Sequence, residues 1–73
     1  MTDFVYISTE DKVFIVSERL RNLENTLYNL EAGLIEENAR ENVISENVDY
    51  INNEISETNR CISALQIELN SLT

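Results

Sequence analysis

The chain has 73 residues and a net charge of −9, because 14 Asp and Glu residues outnumber 5 Lys and Arg residues. This charge argues against direct binding to nucleic acid or to an anionic membrane surface, since both need basic residues. With no His and a single Cys, the chain lacks the side chains of a usual zinc site and of a Ser-His-acid or Cys-His arrangement, so we expect neither a metal, nor a cofactor, nor enzymatic activity.

Residues 1–8 differ from the rest of the chain because they contain a short aromatic and β-branched run. Such a run favours extended structure over helix, and we predict an extended N-terminal arm over residues 1–8. The arm either packs on the start of the following helix or docks on a larger partner protein. The candidate docking residues, which include two on the first turns of the helix, are Phe4, Val5, Tyr6, Ile7, Phe14 and Ile15.

A heptad repeat occupies residues 9–73 and predicts one long coiled-coil helix. Ser8 or Thr9 can cap its N-terminus, and Glu10 and Asp11 place acidic charge in its first turn. Apolar residues then recur at alternating three- and four-residue steps, without a change of phase, and we call these positions the seam. The predicted oligomerisation core consists of the apolar seam residues Val13, Val16, Leu20, Leu23, Leu27, Leu30, Leu34, Ile44, Val48, Ile51, Ile55, Ile62, Leu65, Leu69 and Leu72.

Residues 33–42 form the weak segment of this helix. Gly33 lowers helix propensity, and Glu37 and Glu41 place carboxylates at seam positions. Asn38 and Asn42 can each cap a new helix. The segment is therefore predicted to be a loosened stretch of helix, an outward loop or the turn of a helical hairpin.

Two features favour a parallel homotrimer. The second half of the chain carries β-branched residues at both core positions of the heptad, which shifts the preference from dimers to trimers or tetramers. Residues 19–24, Arg-Leu-Arg-Asn-Leu-Glu, resemble the short trimerisation motif of parallel three-stranded coiled coils. In such a coil Arg19 can form an inter-chain ion pair with Glu24 of the neighbouring chain. We therefore predict an all-α fold, a long parallel coiled coil that follows a short extended arm.

An antiparallel helical hairpin that dimerises into a four-helix bundle is the alternative fold. Folding back near residue 39 would pair Leu34 with Ile44. It would also place Glu37 and Glu41 in a turn, where water solvates them. The unbroken phase favours the straight rod, because a hairpin does not need to keep the phase across its turn.

The predicted function is that of a structural oligomerisation protein, a short fibre, spacer or attachment rod of a larger assembly. In general character, the chain resembles the small acidic coiled-coil accessory and fibre components of bacteriophage particles. An assembly chaperone or adaptor is one alternative, and an acidic inhibitor of a nucleic-acid-binding protein is another. No basic-then-apolar leader and no stretch of membrane-spanning length is present. We therefore expect a cytoplasmic protein, or part of a particle assembled in the cytoplasm.

Overall fold

A computed structural model describes residues 7–73, which fold into two helices, α1 (Thr9–Asn38) and α2 (Ser45–Leu72). The prediction of an all-α fold is confirmed, since no strand occurs within this range. The two helices pack against each other as a hairpin that measures 60 × 23 × 14 Å. The parallel homotrimer stays a prediction, because an oligomeric state is a property of several chains.

The start of α1 is set by local capping, as the sequence predicts. The Ser8 side-chain oxygen accepts a hydrogen bond from the Asp11 N–H at 3.1 Å, and the Ser8 carbonyl accepts one from the Lys12 N–H at 2.9 Å. Glu10 and Asp11 lie in the first turn, where negative charge is favourable next to the helix N-terminus. Of the predicted N-terminal arm, Ile7 and Ser8 belong to the described range, and residues 1–6 lie outside it.

The first helix ends at Asn38, with Ala39 as its C-terminal cap, and not at Gly33. Residues 33–38 are helical, so the break at 39–44 overlaps the predicted weak segment 33–42 in its last four positions. One Gly costs a helix about 1 kcal/mol relative to Ala. That cost is too small to end a helix whose seam packs against a second helix on both sides of Gly33.

The seam lies between the two helices. Every apolar seam residue except Ile44 is buried or partly buried, whereas Ile44 is 44% exposed. Residues 19–23 of α1 lie beside residues 61–65 of α2, so Leu34 is about level with Ile51, and Val13 is about level with Leu72. The expected pairing of Leu34 with Ile44 is wrong by one heptad, because Ile44 caps the N-terminus of α2 and belongs to the connection between the helices.

The core is shallow along its whole length. The most buried apolar residues are Val16 and Leu20, which are 8% and 6% exposed, and no side chain within residues 7–73 is fully buried. Two helices can cover only the facing sides of a seam, so its flanks stay in contact with water.

We predict that Gly33→Ala stabilises the hairpin. Gly33 is in the interior of α1, and a Cβ added there meets no atom within 4 Å. The free energy of unfolding should rise by about 0.5–1 kcal/mol, because Ala loses less backbone entropy in a helix. Urea unfolding followed by circular dichroism at one protein concentration measures the change. A lower urea midpoint would contradict the placement of Gly33 in an open part of the helix.

Candidate functional site

Glu37 is the one charged residue within residues 7–73 that is buried, at 6% exposure. It lies in the last turn of α1 and contacts the first residues of α2. Its Oε2 accepts a hydrogen bond from the Ile44 N–H at 3.1 Å, and its Oε1 accepts one from the Asn47 side-chain amide at 3.4 Å. Ile44 has no capping side chain of its own. Glu37 therefore supplies from α1 the contact that a capping-box glutamate usually makes within its own helix.

The surroundings of Glu37 explain why a carboxylate is tolerated at a seam position. A buried charge is costly unless hydrogen-bond donors surround it, and two N–H groups do so here. Arg40 adds an ion pair, with 3.5 Å between its Nε and Oε1 of Glu37, but 60% of its side chain is exposed, so this pair contributes little. The expectation of two solvated seam glutamates holds for Glu41, which is exposed. It is wrong for Glu37, because its carboxylate finds donors in α2.

Thr58 is the other polar residue of the seam that is buried, at 9% exposure. Its hydroxyl donates to the Glu54 carbonyl at 2.8 Å. That hydrogen bond stays within α2, as is common for Thr in helix interiors. The hydroxyl proton of Thr58 is therefore used locally and does not hold the two helices in register.

An open groove of about 490 Å³ runs along one flank of the hairpin. Its lining residues come from both helices and are Arg19, Asn22, Leu23, Cys61, Ala64 and Leu65. Leu23 and Leu65 are seam residues, so the groove exposes part of the predicted oligomerisation core. Because the side chains of Cys61 and Ala64 are small, open space remains beside them in the groove. An apolar groove between two helices has the shape that an additional helix fills.

The predicted docking residues that lie in the described range are on the surface. Ile7, Phe14 and Ile15 are 45%, 65% and 41% exposed, whereas Phe4, Val5 and Tyr6 lie outside the described range. The docking role stays a prediction. Arg19 and Glu24 form no ion pair within the described part of the single chain, and their inter-chain pairing also stays a prediction.

Two features of the surface were not predicted from the sequence. The first is the capping role of Glu37, for which the signal is the absence of Ser, Thr, Asp or Asn at the N-cap of α2. The second is that exposed apolar residues of α1, among them the predicted docking residue Phe14, form a row. Phe14, Tyr28 and Ile35 are separated by multiples of seven residues and are 65–71% exposed. They therefore share one face of the helix, on its outer side.

Comparison with known protein families, with curated proteins and with solved structures gave no match to this chain. Within residues 7–73, Cys, Asp and Glu side chains form no group that could hold a metal ion. In the same range, both helices are too polar to form a membrane span.

We predict that Glu37→Ala lowers the free energy of unfolding by about 1–3 kcal/mol, the usual cost of leaving part-buried donors without an acceptor. Glu36→Ala is the matched control, because Glu36 is exposed and its replacement should change stability by less than about 0.5 kcal/mol. Urea unfolding at equal protein and salt concentrations compares the two variants. Equal losses in both would show that the Glu37 contact does not stabilise the hairpin.

Proposed function

We propose that this chain is a non-enzymatic association protein, a small helical adaptor that pairs with a second copy of itself through the open flank of its hairpin. One observation carries the proposal. The seam keeps its phase from Val13 to Leu72, yet no side chain within residues 7–73 is fully buried. A seam of this length is typical of a chain whose helices pack against more than one neighbour.

The groove favours a helix pair as its occupant. In a four-helix bundle each helix directs its seam to a common centre, and the exposed parts of Leu23 and Leu65 would then leave water. Removal of apolar surface from water is the main driving force for such association. A second hairpin supplies two helices with the same seam spacing, which matches the groove along its length.

Charges along the same flank support a second copy as the partner. Lys12 and Arg19 lie one heptad apart on α1, and Glu54 and Glu68 lie one heptad on either side of Cys61 on α2. This flank is thus basic on one helix and acidic on the other. In a two-fold symmetric pair, α1 of one copy faces α2 of its partner, so that opposite charges meet twice.

The adaptor role follows from the open end of the hairpin. Phe14 and Ile15 are exposed near that end, and the predicted N-terminal arm precedes them in the chain. A symmetric pair would carry two such docking surfaces, and these could join two copies of a larger protein. A parallel trimeric attachment rod is the second candidate, and the seam phase that continues through residues 39–44 favours it.

Light scattering at tens of micromolar tests the pairing. We expect the mass of two chains. Leu65→Gln should weaken dimerisation by roughly 100-fold, because a symmetric interface loses the residue twice, at about 1.5 kcal/mol each. Ile67→Gln is the matched control, since Ile67 is 71% exposed and its replacement should leave the mass unchanged. Circular dichroism checks that both variants keep their helices. A wild-type mass of one chain would contradict the proposal, and three chains would favour the rod.

The charge arrangement has a separate test. Arg19→Glu should weaken dimerisation by about 5-fold or more at low salt, and the added change Glu68→Arg should restore part of the loss. Both effects should shrink at 1 M salt, where exposed charges are screened. Sedimentation equilibrium of the two single variants and the double variant gives the coupling. Additive losses would show that α1 of one copy does not face α2 of the other.

A further inference from the structure

The connection between the helices lacks the residues that usually make a turn. Residues 39–44 contain neither Gly nor Pro, and no residue in the described part of the chain has a positive φ. All six positions are exposed, so no packing of their side chains holds the turn. Each of these residues can adopt helical φ and ψ without strain, and Ala39, Arg40 and Glu41 are good helix formers.

The heptad phase continues through the same connection. The steps from Glu37 to Glu41, to Ile44 and to Val48 are four, three and four residues, as in the rest of the seam. A hairpin needs no such continuity, because its turn can have any length. If residues 39–44 became helical, the seams of α1 and α2 would form one stripe on a single helix of about 96 Å, at 1.5 Å per residue.

The seam is also symmetric about the connection. With residues 19–23 beside residues 61–65, Val13 is about level with Leu72 and Leu34 with Ile51, so each layer combines one residue from either side of the turn. Two open chains that pair antiparallel would therefore reproduce the layers of the hairpin, with α2 supplied by the other copy. We propose that residues 39–44 are a hinge through which two copies exchange α2, and that the Glu37 contact favours the closed hairpin over the exchanged dimer.

Glu37 has this effect because its backbone donor, the Ile44 N–H, is placed correctly in the closed form alone. In a continuous helix the Ile44 N–H would bond to the Arg40 carbonyl. Glu37 would then lie in the seam level with Val48 of the other copy, without the backbone donor that it has in the hairpin. A part-buried carboxylate that loses its donor opposes the exchange. A leucine side chain at position 37 packs in the seam in both the closed and the exchanged form. Glu37→Leu therefore removes a hydrogen bond that stabilises the closed form alone.

The inference does not depend on the open flank of the hairpin. Pairing through the flank joins two closed hairpins, whereas the exchange replaces one helix of each pair. The two arrangements differ in the distance between equivalent residues. The Cys61 residues of two exchanged chains would be about 55 Å apart along the axis, whereas in two packed hairpins they would lie within about 25 Å.

Cys61 is the single cysteine of the chain and is exposed, so a spin label can be attached at this position in every variant. Labelled wild type and labelled Glu37→Leu are refolded from denaturant at the same high concentration, and pulsed EPR measures the distances between labels. We expect the fraction of pairs near 55 Å to be at least about 10-fold larger in Glu37→Leu, because each exchanged dimer forms without either capping contact. Small-angle scattering should then give a maximum dimension near 96 Å.

Two variants control the result. Glu36→Leu makes the same change of charge and side chain at an exposed position, and its distances should match those of wild type. Val43→Pro added to Glu37→Leu should remove the 55 Å fraction, because proline in a helix interior removes a hydrogen bond and clashes with the preceding turn.

A 55 Å fraction in Glu37→Leu that does not exceed that of wild type would overturn the proposal. The proposal would also be overturned by a particle of 96 Å in which the labels are close together, because that combination indicates a parallel rod. The mass is measured on unlabelled protein, because a label on Cys61 lies in the groove of the flank. An unlabelled wild-type mass of one chain at lower concentration would overturn the flank pairing alone.

Discussion

The register of the hairpin depends on the contact between the Glu37 carboxylate and the first residues of α2. This contact marks the residue at which α2 begins, since Ile44 has no capping side chain of its own. Once the starts of both helices are set, the 3.5-residue spacing of the seam determines which residues are level with one another. The groove beside Leu23 and Leu65, and the charged positions on its rim, follow from that register.

The same arrangement leaves the fold with little buried surface. A chain of 73 residues in two helices has little interior, and its seam side chains keep part of their surface in water. Its net stability must come from a small difference between apolar burial and the entropy of ordering the chain. If the proposed partner covers the open flank, it adds directly to that difference, and stability then depends on protein concentration.

The helix start and the seam could be predicted from the sequence because both are local. Ser8, with acidic residues just after it, marks an N-terminus whatever surrounds it, and the apolar spacing marks the inward face of each helix. The end of α1 could not be predicted in the same way. Gly33 is the most evident weak position, yet it is helical, while the break begins at Ala39, a residue that favours helix. The break coincides with a contact between Glu37 and Ile44, seven positions apart, which local propensity does not describe.

Periodicity also leaves the partner of a seam undetermined. The residues that would face two neighbouring chains in a parallel trimer are the residues that face the second helix of a hairpin. The predicted core residues are therefore inward-facing in either arrangement, apart from Ile44. The two arrangements differ at Glu37, because its hydrogen bond to the Ile44 N–H at the start of α2 requires the hairpin turn.

The hairpin places residues 9 and 72 at the same end, which determines how it responds to mechanical load. Tension that separates these two residues opens the layers one after another, beginning with Val13 and Leu72 and ending near the turn. Each step breaks one layer, so the resisting force stays low and nearly constant during extension. The Glu37 contact is the last to break, and the chain can refold from the turn outward when the load is released.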